Sequence, residues 1–459
     1  MITIPQQTVL FPELFSKPVS VSFSRDHLSS DGGSILLKAV DQKLGITRTV
    51  ADTFIDRRQP EKVRHEILDL TRQRLFSLAS GYPDCNDAGR LKQDPVLKLL
   101  CDRDPITGDD LGSQPTLSRF ENTVTRFQML TLSTRLAEKV LCCQHNRRHG
   151  QHRPKRIISD IDPTHDATYG QQQLTFFNGY YDTWCYLPLI VTVSFDQEHR
   201  KYPVAAILRP GNAGAMTGTL AILKRLVPLI RSFFPAGRLF FRADGAYCNP
   251  DLLDWLEEES IYYTIPIGSN PVLERISAPW MDLVRQVTHL HKKSVTIYRE
   301  EPYRAGTWPH YRRLAYKAEV LVQWSDHRDN ARYTITNLPR NFGAEGIFRF
   351  YYGHSDMENA IKNFKHDLSL DRTSCTSFLA NQLRVIWSLA AYILMQALQE
   401  RITDRILSRA TMGTLRERLF KIAVRVKESS RRITFLLTAH YPWQGTWLAC
   451  ARSVGAVAG

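Results

Sequence analysis

RIISDID, residues 156–162, is a short apolar run closing on two carboxylates, and it fixes how the rest of the chain is read. Its β-branched residues predict a strand. LPLIVTVSF (187–195) and YPVAAILRP (202–210) predict two more. MTGTLAILKRLVPLIRS (216–232) predicts a helix, and RLFFRAD (238–244) a strand that again ends in an acid. PDLLDWLEEE (250–259) predicts a helix and IYYTIPI (261–267) a fifth strand. The order β-β-β-α-β-α-β describes a three-stranded meander followed by crossover units that add parallel strands, so the fold class is mixed α/β.

Upstream, residues 1–22 read as extended, with prolines at 5, 12 and 18. After Ser29-Ser30-Asp31-Gly32-Gly33 the pattern turns helical, with Asp31 as N-cap and Ile35, Leu36, Val40 and Leu44 in a stripe before Gly45. Further helices are expected near 60–80, 90–101 and 115–142, which makes 1–141 a mostly helical N-terminal domain. CCQHNRRHGQHRPKR (142–156) has five bases and no acid, and reads as a basic linker. Its Cys142, Cys143, His145, His149 and His152 match no common structural zinc spacing.

Downstream, SVTIYRE, RLAYKAEVLVQW and ARYTITNLP make 270–345 a β-rich insertion. Helices resume at 355–367 and 376–400, so the α/β core spans 157–269 and 346–400. The last segment, 401–459, is a basic helical region, with TLRERLFKIAVRVK (414–427) placing Leu415, Leu419, Ile422 and Val426 on one helix face.

The 459 residues include 60 Lys+Arg and 46 Asp+Glu, a formal charge of +14, and 43% are hydrophobic, the profile of a folded globular protein. The charge is uneven: residues 401–459 hold 11 bases and 3 acids, and contribute +8. Arg outnumbers Lys 43 to 17, and the planar guanidinium suits phosphate, so the composition favours a nucleic-acid partner. The N-terminus has no basic segment leading into an apolar run, which excludes a secretory signal. FLANQLRVIWSLAAYILMQAL (378–398) carries Asn381, Gln382 and Arg384 and reads as a buried helix, so no membrane span is expected. Eight cysteines without C-x-x-C spacing imply free thiols and a reducing compartment, so a cytoplasmic protein is expected, nucleoid-associated if its partner is DNA.

Asp162 and Asp244 end their strands, where sheets of this kind place functional groups. Asp160 precedes Asp162 by two residues and shares its strand face. In RFYYGHSDMENAIKNFKHDL (349–368), Glu358, Lys362 and Lys365 fall at i, i+4 and i+7 on one helix face. Three carboxylates without thiol or imidazole suit a hard cation such as Mg2+, with Mn2+ as a substitute. Two such ions stabilise both oxygens of an in-line phosphoryl displacement.

These motifs together resemble the DDE transposases of bacterial insertion sequences, in the branch with a Y-x2-R-x3-E-x6-K signature. DIDPTHDATYGQQQLTFFNGYYDTWCYLPLIV resembles the first-Asp region of one large subgroup, and ILRPGNAG (207–214) and FFRADGAY (240–247) its third strand and second-Asp region. SQPTLSRFEN (113–122) and RERLFKIAVRV (416–426) extend the resemblance over nearly the whole chain. The resemblance implies a ribonuclease-H-like core, with Asp162, Asp244 and Glu358 as the metal-binding triad and two ions per site. The Asp-x-Thr pattern selects Asp162 over Asp160. Tyr351 and Lys365 correspond to phosphate contacts, joined by Lys362, and the family's Arg is replaced by His354, a weaker and pH-dependent contact. Either slower cleavage or a takeover of that contact by Arg349 is expected. An aromatic of the 270–345 insertion is expected to stack on a displaced base, with Trp308 and Trp324 as candidates.

The function this implies is recognition of terminal inverted repeats followed by metal-dependent cleavage and strand transfer on double-stranded transposon-end and target DNA, by a homodimer. Water is the expected nucleophile for the first nick and the freed 3′-hydroxyl for strand transfer. Arg119, Arg147 and Arg148 are expected phosphate contacts, and the basic tail is expected either to grip flanking DNA or to serve dimer assembly. Two alternatives stay open: a stand-alone ribonuclease-H-like nuclease, and a transposase-derived repressor that binds without catalysis.

Overall fold

The computed structural model describes residues 9–13, 16–21, 27–148, 153–323 and 326–457, so His149, His152 and Trp324 lie outside the described residues. The N-terminal helices include α1 (Ile35–Leu44), α2 (Ile67–Ala79), α3 (Gln114–Asn122) and α4 (Arg126–Arg148). Gly45 stops α1 at φ 67°, a left-handed cap that costs little without a Cβ. Asp31, expected as an N-cap, makes no cap bond, and its carboxylate instead accepts Tyr82 Oη and Lys421 Nζ. Residues 142–148 are also helix, which corrects the linker reading. Leu132, Leu136, Val140, Leu141 and Gln144 continue one buried stripe, and that burial carries the helix through the basic residues to Arg148.

The core strands are β1 (Arg156–Pro163), β2 (Leu189–Phe195), β3 (Tyr202–Ile207), β4 (Arg238–Arg242) and β5 (Tyr262–Ile267). Helices α5 (Thr219–Phe233) and α6 (Pro250–Glu258) form the crossovers around β4. Hydrogen bonding orders these strands β3-β2-β1-β4-β5, with β1, β4 and β5 parallel and β2 antiparallel to both neighbours. This is the meander plus parallel extension expected from the pattern.

The insertion, expected to be β-rich, is only partly so. It begins with a 21-residue helix, α7 (Pro271–His291), capped by Asn270, whose side chain accepts the amides of Val272 and Leu273. Pro279 reads locally as a breaker, yet α7 carries it while Leu273, Met281 and Val284 bury against the sheet. Strands β6 (Val295–Tyr303), β7 (Arg312–Gln323) and β8 (Arg332–Thr336) extend the core sheet itself, with β8 antiparallel to β5. The described strands of this sheet number nine, Asp326–Asp329 pairing with β7.

The chain then forms α8 (Ala344–Tyr352), α9 (Ser355–Lys362) and α10 (Phe378–Gln399). Helix α10 is long and apolar enough to cross a membrane, but 83% of its most apolar window is buried inside the protein, as a core helix would be. The C-terminal region is not the expected helix over 414–427. A short helix covers Met412–Leu415, a π turn follows at Arg416–Phe420, Val424–Glu428 is a strand hairpinned with Ile433–Leu437, and a further helix spans Gln444–Ser453. Alternation decides it: Val424 and Val426 are buried, and Arg425 and Lys427 are exposed. This hairpin pairs with Leu28–Ser29, and a Cβ on Gly33 would lie 1.7 Å from the Leu419 carbonyl oxygen. The two ends of the chain therefore pack as one unit.

Candidate active site

Register brings the first two acids level. In the parallel pairing of β1 with β4, Arg242 sits opposite Asp160, so Asp244, two residues past Arg242, comes level with Asp162. Asp244 caps the turn Gly245–Tyr247, accepting the Ala246 amide at 2.9 Å through one carboxylate oxygen. Glu358 lies in the first turn of α9. The three acids act on one another: burial first, then the charges of Asp244, Glu358 and Asp160, push the Asp162 carboxyl up to about 7, against the opposing effect of His354. Among the described residues no ion pair neutralises Asp162, Asp244 or Glu358. Two half-buried carboxylates and an exposed one, with no thiol among them, fit a hard divalent cation.

Asp160 is a different kind of acid. It is fully buried and ion-paired with Lys201, Arg242 and His354. Burial opposes its ionisation, yet Arg242, Lys201 and His354 prevail and hold it well below the usual carboxylate range. With its oxygens so engaged it has little capacity left for a metal, which supplies a physical reason to favour Asp162.

The expected DNA-contact residues divide. Tyr351 faces the acids: burial, then Asp244 and Asp162, push its phenol up to about 12, and its ring stacks on His354 at 6.0 Å. His354 is buried and bonded through Nδ1 to Asp160 at 2.9 Å, so that nitrogen is not free for phosphate. Arg349 is no substitute, because it is exposed and paired with Glu345 one turn away. Glu358 and Lys362 are both exposed on α9. Lys365 departs from their face because Asn363–Asp367 is a π turn, closed by the Leu368 amide on the Asn363 carbonyl. Its Nζ donates to the His165 carbonyl at 2.9 Å, three residues beyond Asp162.

Arg147 and Arg148 are corrected to packing residues. Arg148 donates to both oxygens of Glu198 at 2.7 Å and lies 4.0 Å over the Phe195 ring. Arg147 bonds Tyr202 Oη, Glu198 and Glu400. Both are spent joining α4 to the sheet and to α10. Arg119 stays exposed, with a local bond to the Pro115 carbonyl.

Trp308 is also corrected. It is buried edge-on to Tyr303 with Arg312 above it, and so cannot stack on a base. Exposed aromatics lie elsewhere, around a small sheet of Asp166–Ala167, Phe176–Asn178 and Thr183–Tyr186. Tyr169 (95% exposed), Tyr180 (88%), Phe176, Phe177 and Trp184 open to solvent there, while Tyr181 stacks on His165 at 4.5 Å beside the acids. The run TFFNGYYDTW was a legible signal, since few folds expose so many rings without a use.

A tighter group of candidate ligands exists among the described residues: Asp254, Glu257 and His310, with ligand atoms all within 4.8 Å. Arg312 already pairs with both of its carboxylates, and Tyr263 Oη donates to Glu257, so its charge is satisfied without a metal.

The sequence matches the profile described as "Transposase DDE domain group 1" over residues 11–456. No curated protein matches it significantly. Among solved structures it is similar to a piggyBac transposase synaptic complex with hairpin DNA, at a TM-score of 0.41 and 9% identity, covering 86% of this chain and 82% of that one. With nearly its whole length inside one family profile, and two strand-end aspartates and a helix glutamate gathered at one place, the chain belongs to the DDE-domain transposases of group 1.

Proposed function

We propose that this transposase is a cytoplasmic cut-and-paste enzyme of a bacterial insertion sequence. It binds the terminal inverted repeats of its element as a homodimer, on a ribonuclease-H-like core. The strand order β3-β2-β1-β4-β5, with one antiparallel member, supports that core. The observation that carries the catalytic reading is the level placement of Asp162 and Asp244 at the ends of the paired strands β1 and β4, with Glu358 of α9 near enough for its charge to act on Asp162 and no protein cation paired with any of the three.

Asp162, Asp244 and Glu358 would hold two divalent ions, Mg2+ with Mn2+ as substitute. Bound there, the ions stabilise the charge developing on the attacking and leaving oxygens of a phosphodiester. The chain's own residues orient the substrate: the Tyr351 phenol at the rim of the acids, and Lys362 on the exposed face of α9, meet the phosphates on either side of the scissile bond. Lys365 holds the segment after Asp162 in place through the His165 carbonyl. The aromatic face around Tyr180 and Trp184 takes bases at the opened end, the role first expected of Trp308 and Trp324.

The test uses linear DNA carrying the element's ends. The full chain should nick it with Mg2+ and join a precut 3′-hydroxyl end to target DNA, and Asp162→Asn, Asp244→Asn and Glu358→Gln should each abolish both steps. Cutting without joining would identify a stand-alone nuclease. End binding with neither reaction, unchanged in the three variants, would identify a repressor.

A further inference from the structure

Asp160 receives more donors than any acid that the chemistry would use. Arg242 Nε and Nη2 donate to it at 2.8 and 3.0 Å, Lys201 Nζ at 2.8 Å and His354 Nδ1 at 2.9 Å. The positions of these partners are what matter. Asp160 shares β1 with Asp162, Arg242 ends β4 two residues before Asp244, and His354 enters α9 one turn before Glu358. One buried carboxylate therefore ties together the three segments from which the three acids project.

The tie is tight on every side. Arg242 uses its remaining nitrogen on the Phe350 carbonyl at 2.6 Å, and its guanidinium lies 4.9 Å from the Phe350 ring centroid. That fixes the end of α8 just before the turn into α9. Gly353 in that turn has an ordinary helical backbone, yet a Cβ there would come within 2.5 Å of Arg242 Nη1. The backbone of Lys201 is anchored as well, its carbonyl accepting Gln396 Nε2 of α10 at 2.8 Å. The acids repel one another, and α9 comes from a different part of the chain than β1 and β4. A fixed spacing between them therefore needs a bond across the three segments, and Asp160 supplies it.

We propose that Asp160 is the positioning residue of this site, setting the spacing of Asp162, Asp244 and Glu358 without binding metal itself. The inference rests on the reading of those three as metal-binding. Partners of this kind typically change metal affinity by about 10- to 100-fold when removed.

The experiment measures Mn2+ binding calorimetrically on the full chain without DNA, with each variant held well below its own unfolding midpoint. The wild type should bind Mn2+ and Asp162→Asn should lose it. Asp160→Asn leaves Arg242 and Lys201 buried without their counter-charge and is at risk of misfolding. Gly353→Ala alters no hub side chain and no backbone preference, and presses only on the Arg242 guanidinium. Both variants, when folded, should bind Mn2+ weaker than wild type by about 10-fold or more, with stoichiometry retained. If Asp160→Asn does not fold, Gly353→Ala decides alone. Wild-type affinity in a folded Asp160→Asn or in Gly353→Ala would overturn the proposal. So would loss of a bound ion in Asp160→Asn beside wild-type affinity in Gly353→Ala, since Asp160 would then be a ligand. A wild type that binds no Mn2+ would remove the metal reading itself, and this inference with it.

Discussion

Arg384, near the start of α10, donates through Nε to Glu121 Oε2 at 3.0 Å, in a place where Glu121 is only 1% exposed. Arg74 of α2 completes the clamp through Nε at 2.8 Å to the other oxygen. The helical N-terminal part is thus locked to the core helix by a buried charge triad. Burial opposes ionisation of Glu121, but Arg74 and Arg384 outweigh it and hold its carboxyl below the usual range. A depressed acid contributes stability that is present above its ordinary value of 4.5 and is lost as pH falls below that value towards the folded one. Glu121→Gln leaves two buried guanidiniums with one neutral acceptor, and should cost about 3 kcal/mol of stability in urea titrations at pH 7. The gap between variant and wild type should narrow as pH drops below the ordinary glutamate value.

Metal should stabilise this protein more at high pH than at low. The Asp162 carboxyl, raised to about 7, keeps its proton in the folded state over a range where an unfolded aspartate has lost it. Without metal its contribution to stability therefore falls as pH rises from 3.8 to about 7. A divalent cation must displace that proton below about 7 and finds the carboxylate ready above it. The unfolding-temperature increase caused by Mg2+ should be larger at pH 8 than at pH 6, and Asp162→Asn should abolish most of it. A shift independent of pH would refute the assignment.

Arg148→Ala should weaken the fold and leave DNA alone. Its two bonds to Glu198 and its place over Phe195 predict a loss of about 2 kcal/mol. End-binding affinity and its salt dependence should match wild type when both are folded. Weaker binding with unchanged stability would return Arg148 to the DNA interface.

The C-terminal hairpin is where salt-dependent binding should reside. Lys427, Arg431 and Arg432 are exposed on it or at its turn. Replacing all three by Gln should lower the slope of log affinity against log salt by about 0.9 for each phosphate released. Metal-dependent cleavage at saturating DNA should persist.

Tyr180→Ala combined with Trp184→Ala removes two exposed rings whose ring contacts, with Tyr181 and Phe177, lie at the surface, so the unfolding temperature should move little. Base stacking contributes about 1–3 kcal/mol per base, so affinity for an end with unpaired bases should fall at least about 5-fold. Fully paired DNA should show a smaller loss. Equal losses on both would place the rings against backbone or another protein.

Where local pattern and final environment agreed, the sequence could be read directly. The strands at 156–162 and 187–195 combine β-branched residues, and that at 238–244 a Leu-Phe-Phe run, with burial on both faces, and they appear within a few residues of expectation. The failures share one cause. Pro279 reads as a breaker but is carried by a helix packed on the sheet. Val426 fits a helical stripe with Leu415, Leu419 and Ile422 as well as a strand, until pairing with Ile433–Leu437 and Leu28–Ser29 selects the strand. Arg147 and Arg148 look like a basic linker until Glu198 and Glu400, distant in sequence, arrive beside them.

The sequence by itself determined the chemistry available: two strand-end aspartates, a helix glutamate and an excess of arginine, all visible as residue types at set spacings. Tertiary structure decided what surrounds each acid. As neighbours on one strand face Asp160 and Asp162 are alike, and in the sequence only the Asp-x-Thr pattern favoured the second. They part because Arg242, Lys201 and His354 bond directly to the first, while the second pairs with no cation and feels the charges of Asp244 and Glu358 against that of His354. The identity of a carboxyl group, metal ligand or buried anchor, lies in the charges that surround it, and those come from segments up to 194 residues away.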